Sequence, residues 1–230
     1  MKQIKFKRYF ALCFLLLLNA CSANIFSNEA TIPKVNKTPE QLKPSKTFVY
    51  ECQSGYQYTV NIEGRMAWLF LPGQTIGLQK ITSASGAKYS NGLSTFWTKG
   101  NKASLELGSE VHKDCINNHS KAIWEDAKLN GADFRAVGNE PGWHLEIMHD
   151  KELVFTSQYG ETTYSFSTSQ QKIDQAARKT VYSANEKGHK LSVTIHGVSC
   201  QDTMSDDTYE STVTVVLDDK LFKGCGKALH

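Results

Sequence analysis

Short runs of apolar residues alternating with polar ones begin at Phe48 and recur to the end of the chain. In the first half they are Phe48–Cys52, Tyr56–Val60, Met66–Phe70, Ile76–Leu78, Leu93–Trp97 and Ala103–Leu107, each of strand length. Gly55, Gly64, Pro72-Gly73, Gly86 and Gly100 punctuate them. Regular short strands separated by turn residues predict an antiparallel sandwich or small barrel over residues 47–117. Residues 116–131 carry the one helical pattern, with Ser120 placed to cap it, Ile123 and Ala127 four apart on one face, and Asn130-Gly131 as a stop. That helix is read as the connector, residues 118–132. From Phe134 a second series follows: Trp143–Met148, Leu153–Ser157, Thr162–Ser167, Thr180–Ser183, Leu191–His196, Ser211–Leu217 and Leu221-Phe222, with a turn at Asp218-Asp219. Leu191, Val193 and Ile195 alternate cleanly with polar neighbours, as do Val213 and Val215. Residues 133–230 are therefore expected to form a second, barrel-like β-domain. The predicted fold class is all-β: two small antiparallel β-barrel or sandwich domains joined by a short helical connector.

Before Phe48 the pattern is different. Residues 1–20 hold Lys2, Lys5, Lys7 and Arg8 and no acid, followed by the apolar run Tyr9–Leu18. Such a run is too short to cross a hydrocarbon core of ~30 Å as a helix and suits the apolar core of a signal peptide. It ends in Leu18-Asn19-Ala20-Cys21, which resembles the lipobox of bacterial lipoproteins, with Asn19 a less usual occupant of its position. The resemblance implies cleavage after Ala20 and lipidation of Cys21. Two or more acyl chains, at ~0.8 kcal/mol per buried methylene, anchor a protein stably. Ser22 stands where an aspartate would resemble an inner-membrane retention signal, so the usual sorting rule implies the outer membrane. Residues 22–46 are polar, contain Pro33, Pro39 and Pro44, and read as a flexible tether with an end-to-end distance of roughly 25–30 Å.

The charge balance changes once the leader is set aside. The formal net charge of +3 includes the four basic residues of 1–20; without them 22 basic face 23 acidic side chains, a net −1. No basic stripe marks a nucleic-acid partner. Of six cysteines, Cys13 leaves with the leader and Cys21 takes lipid, which leaves Cys52, Cys115, Cys200 and Cys225 in an oxidising compartment. Three pairings are possible, and the division into two domains favours Cys52–Cys115 and Cys200–Cys225. There is no H-E-x-x-H, no G-x-S-x-G and no closely spaced Cys/His set, so no catalytic residue, metal or cofactor is expected. His196 and Cys200, four apart across a turn, do not suit a base and a nucleophile.

The candidate chemistry lies in Ser85-Gly86-Ala87-Lys88-Tyr89 and Phe96-Trp97-Thr98-Lys99-Gly100. As a bare pattern these are two turns flanking a strand, with aromatics to fill a core. The pair also resembles the signature of the membrane-bound inhibitors of c-type lysozyme, S-G-x-x-Y followed by Y-x6-F-W-x-K-G, with Tyr89 shared and six residues between Tyr89 and Phe96. The Cys52 and Cys115 frame looks like that family's disulfide. The resemblance covers roughly residues 47–117, about a third of the chain. It implies a partner, a host c-type lysozyme, whose cleft holds one protonated Glu and one ionised Asp. The family's lysozyme-contacting Ser and Lys fall on Ser85 and Lys99. The hydroxyl suits the acid, and the ammonium can make a charge-assisted bond to the carboxylate. Gly86, Lys88, Tyr89 and Thr98 complete the expected contact set, while Tyr89, Phe96 and Trp97 are expected mainly to wedge the loop from beneath. Residues 45–118 carry seven basic and five acidic side chains, so steering cannot be the main source of affinity for a cationic enzyme. Residues 131–230, with ten basic and fourteen acidic, could add an attraction that salt screens.

Phe134–Trp143 and the stretch Cys200–Gly226 resemble an uncharacterised domain of bacterial lipoproteins, which implies no activity. Glu140, Trp143, Asp202 and Tyr209 are its candidate pocket residues. The alternative reading is a surface adhesin or ligand-binding envelope lipoprotein that uses the inhibitor-like barrel as a scaffold.

Overall fold

The computed structural model describes residues 45–230 apart from Asp150, Thr168 and Ser169. The expected signal peptide over 1–20, the lipidated Cys21 and the tether as far as residue 44 lie outside the described residues. Eight strands form the first β-domain: β1 Lys46–Glu51, β2 Gln57–Glu63, β3 Met66–Leu71, β4 Gln74–Ile81, β5 Ala87–Ser90, β6 Ser94–Lys99, β7 Lys102–Leu107 and β8 Glu110–Asn117. They close in sequence order into an antiparallel barrel, a geometry that leaves no unpaired edge. Strands β5 and β8 lie beyond the predicted set. Leu93 was expected to open a strand, but it stands in the turn before β6 and is 82% exposed. Alternate positions of most strands point inward, so Tyr58 and Val60, Ala67 and Leu69, Phe96 and Leu105 fill the interior around Tyr50. The Tyr50 ring lies 5.6 Å from that of Phe96 and 5.5 Å from that of Tyr58. Full burial of a Val, Leu or Phe side chain such as Val60, Leu69, Phe96 or Leu105 contributes about 1.5–3 kcal/mol. The disulfides are Cys52–Cys115 and Cys200–Cys225, as the domain division favoured.

The helix α1 spans His119–Leu129. Its cap is Asn118, whose side chain accepts from the Lys121 N–H, and not Ser120. Asn118 can cap because it leaves β8 with extended backbone (φ −87°, ψ 96°), whereas Ser120 is already helical. Of the predicted face Ala127 is buried, while Ile123 is 38% exposed and its neighbour Ala122 is buried in its place. The helix is more than a connector. Lys121 pairs with Glu51 at 2.6 Å and donates to Gln57, Asn118 donates to Glu51, and Thr47 donates to Asp126. These contacts lay α1 along the outside of β1, where Val49, out of phase with the inward-facing Tyr50, is fully buried. The Trp124 ring lies 5.1 Å from Tyr209, with Lys227 and Arg135 at 5.0 and 5.8 Å from its centroid.

The second β-domain comprises β9 Ala132–Asn139, β10 Gly142–Met148, β11 Glu152–Ser157, β12 Thr162–Ser167, β13 Gln170–Asp174, β14 Lys179–Glu186, β15 His189–His196, β18 Ser211–Leu217 and β19 Lys220–Ala228, with a ribbon of β16 Cys200–Gln201 and β17 Thr208–Tyr209. The nine long strands run in the order β12-β11-β10-β9-β19-β18-β15-β14-β13. This is a curled sheet, the barrel-like second β-domain that the pattern predicts, left open between its edge strands. Its edge strands β12 and β13 do not pair, and the Ser167 N–H reaches the Glu186 carboxylate on β14 instead. Leu145, Ile147, Phe155, Phe166, Val193 and Val215 fill its concave side. Asp218 and Asp219 both have positive φ (48° and 68°), which makes the predicted turn a type I′ hairpin.

His144 on β10 shares a cavity of about 450 Å³ with Lys46, His119, Asp126, Arg135 and Glu146. Arg135, almost fully buried, is ion-paired to Glu146. Burial, aided by the Arg135 charge, lowers the His144 pKa to about 4 from its usual 6.5. The unfolded chain thus takes up this proton below pH 6.5 and the folded one only near 4. The stability that His144 contributes is complete above 6.5 and is lost as pH falls from 6.5 to 4. Allowing for partial solvation of the ring, the loss is about 1–2 kcal/mol. Thermal melts at pH 7.5 and 4.5 should show a smaller acid destabilisation in His144→Gln than in the wild type.

Candidate functional site

The loop 82–86 between β4 and β5 and the turn at Gly100-Asn101 between β6 and β7 emerge at the same end of the barrel, since β4 and β6 run in the same direction. Pairing of β5 with β6 sets Ala87 opposite Thr98 and Lys88 opposite Trp97. Gly86, one residue before that register, has φ +69°, and a Cβ there would stand 2.3 Å from the Thr98 carbonyl oxygen and 3.1 Å from the Lys99 Cβ. Only glycine lets the loop lie against Thr98 and Lys99 at the end of β6 in this way, one residue after Ser85. The Ser85 carbonyl accepts from the Ser83 hydroxyl at 2.7 Å and from the Trp97 indole N–H at 2.9 Å. Ser85 and Lys99 are both exposed.

The turn that carries Lys99 is held from within. Tyr50 donates to the Thr98 hydroxyl at 2.7 Å, which donates onward to the Lys102 carbonyl at 3.2 Å. Burial raises the Tyr50 pKa, so the phenol keeps the proton that this relay needs. The Asn117 N–H donates to the Asn101 carbonyl at 2.8 Å and ties the same turn to the end of β8.

Among the six residues expected to contact a partner, Ser85, Gly86 and Lys99 stand exposed on the rim, and Lys88 and Thr98 are half-buried on β5 and β6. Tyr89 is 3% exposed, its ring 6.0 Å from that of Phe96, so its place is in the core beneath the loop. Ser83 and Asn101 join the arrangement without having been singled out; the only sequence signal for Ser83 is a small hydroxyl residue two before Ser85.

Of the four candidate pocket residues of the second β-domain, Glu140 and Asp202 line one cavity of about 400 Å³, and Trp143 and Tyr209 lie elsewhere. Trp143 is packed in the sheet core, where hypothetical Cβ atoms on Gly138 and Gly224 would lie 2.1 and 2.7 Å from its ring. The Asp202 carboxylate accepts from the Asn139 side chain and the Met204 N–H and so organises its own loop. Tyr209 packs against Trp124, the rings tilted by 31°, at a separate cavity. Cys200 is consumed by its disulfide with Cys225. Among the described residues no three His, Cys, Asp or Glu side chains come together as a metal set, and no helix is long and apolar enough to cross a membrane.

Residues 50–114 match the model of the family described as membrane-bound lysozyme-inhibitor of c-type lysozyme. Over 69 residues the chain is 38% identical to the membrane-bound lysozyme inhibitor of C-type lysozyme from Yersinia enterocolitica (serotype O:8 / biotype 1B). That alignment covers 29% of this chain and 58% of the relative, so the chain spans somewhat over half the length of the protein it matches. No solved structure matches the chain. Both signature segments and the span of the match lie inside the closed barrel β1–β8, so what the chain shares with the membrane-bound lysozyme-inhibitor family is this barrel.

Proposed function

We propose that the protein inhibits c-type lysozyme by seating the rim formed by loop 82–86 and Lys99 in the enzyme's active-site cleft. The observation that supports this reading is the close approach of Gly86, the neighbour of the exposed Ser85, to Thr98 and the exposed Lys99, within the barrel whose sequence matches the inhibitor family. The Ser85 hydroxyl then meets the protonated Glu of the enzyme and the Lys99 ammonium its ionised Asp. The rim offers no glycosidic bond to cleave, so the carboxyls are occupied without turnover. Lipidation at Cys21 would hold the inhibitor at the outer membrane, in the path of a host enzyme that attacks peptidoglycan. The family's membrane-bound character supports an envelope location.

The test is lysis of a peptidoglycan suspension by a c-type lysozyme in the presence of the chain from Ser22 onward, which retains every described residue. Inhibition at a near-stoichiometric ratio is expected. Full lysis at a hundredfold excess of the chain would refute the proposal.

A further inference from the structure

Loop 82–86 has little to hold it. Thr82, Ala84, Ser85 and Gly86 are exposed, and none of them belongs to the backbone ladder. Among the described residues two side-chain hydrogen bonds reach the loop, and both end on the Ser85 carbonyl. The Ser83 bond is local, spanning two residues, and fixes only the curl of the loop. The Trp97 bond spans twelve residues and fixes the loop to the body of the barrel. We propose that Trp97 is a positioning residue for inhibition, its indole N–H presetting the Ser85 backbone so that the hydroxyl projects in its binding geometry before the enzyme arrives.

The chemistry favours this role. Trp97 and Thr98 are successive residues of β6 and therefore point to opposite faces of the sheet. The outward Trp97 grips the Ser85 loop while the inward Thr98, through Tyr50 and Lys102, grips the turn bearing Lys99. One strand thus sets the spacing of the two side chains that the proposed function uses, and the inference rests on that reading. Ordering a loop in advance removes part of the entropy that binding would otherwise lose.

Trp97→Phe keeps an aromatic ring and removes the donor. It should leave the melting temperature within about 2 °C of the wild type, speed amide exchange at Gly86, and raise the inhibition constant about tenfold, which corresponds to ~1.4 kcal/mol. A chain with 3-benzothienylalanine at position 97 keeps the bicyclic outline without the N–H and should show the same loss, even if the Phe variant folds poorly. Because Trp97 acts through Ser85, the loss should shrink to less than about twofold in a Ser85→Ala background. Wild-type potency in both variants overturns the inference alone, as does a tenfold loss that persists undiminished with Ser85→Ala, since Trp97 would then touch the enzyme itself. A wild-type chain that fails to inhibit overturns the proposed function, and this inference with it.

Discussion

The double variant Ser85→Ala, Lys99→Ala is expected to keep the barrel's stability and to lose inhibition by a few hundredfold. Both side chains are exposed, neither contributes to the core, and the bonds that shape the loop use the backbone carbonyl of Ser85, which alanine keeps. Unfolding curves of the variant should therefore overlay those of the parent. In the proposed complex the losses are larger. A hydrogen bond involving a charged group contributes about 1.5–3 kcal/mol and a neutral one about 0.5–1.5, so the two contacts together come to roughly 3–4 kcal/mol. The Lys99 share should be the greater, because its removal leaves the enzyme's carboxylate buried without a partner. The near-balance of charge over residues 45–118 adds a second reading of the same experiment. If affinity lies in two short contacts and not in long-range steering, the ratio of variant to wild-type inhibition constants should change little between 50 and 300 mM salt. The measurement is a titration of lysis rate at both salt concentrations. Potency within threefold of the wild type would remove Ser85 and Lys99 from the mechanism.

The parts of the molecule legible from residue pattern are those where burial alternates cleanly. Leu191, Val193 and Ile195 face one side of β15, and Val213 and Val215 pair with them across β18. The same logic explains the strands that pattern reading passes over. Strand β8 has its pairing with β7 shifted between Ala103 and Leu105 and carries Asp114 at φ +51°, so its buried positions, His112 and Cys115, fall three apart and not two. Strand β9 breaks alternation for a related reason: a register shift near Met148 and the burial of Arg135 beside Glu146 put a charged residue at a core position. Strand β5 has only four residues and lies inside the signature segment, where Gly86 makes it read as part of a turn. The site divides likewise. The residue types of Ser85, Gly86 and Lys99 point to a rim, but the grip of Trp97 on the Ser85 carbonyl depends on the β5–β6 register, which sets Lys88 and not Ser85 opposite Trp97. No spacing rule conveys that diagonal contact.

Removing the Cys52–Cys115 disulfide by paired serine substitution is expected to cost about 4 kcal/mol, since it releases a loop of 63 residues in the unfolded chain. At 2–4 °C per kcal/mol for a chain of this size, the melting temperature should fall by roughly 8–16 °C. The topology says where the damage begins. Every other neighbouring pair in the barrel shares at least three register positions, but β1 and β8, which close it, share only Tyr50↔Asn117 and Glu51↔Ile116. Cys52 follows β1 directly and Cys115 lies within β8, so the disulfide reinforces the weakest seam. Amide exchange in the variant should therefore rise first in β1 and β8. The Tyr50–Thr98 bond crosses the interior from this seam to the turn carrying Lys99, so inhibition should weaken along with stability. Serine replacement of Cys200 and Cys225 makes the contrast. The same loop-entropy argument gives about 3.5 kcal/mol for a separation of 25 residues. That bridge ties the β16–β17 ribbon to β19, away from the rim, so the second variant should melt earlier while inhibiting as well as the wild type at 25 °C. Equal loss of inhibition in both variants would mean that the rim depends on the second β-domain and not on the barrel's own closure.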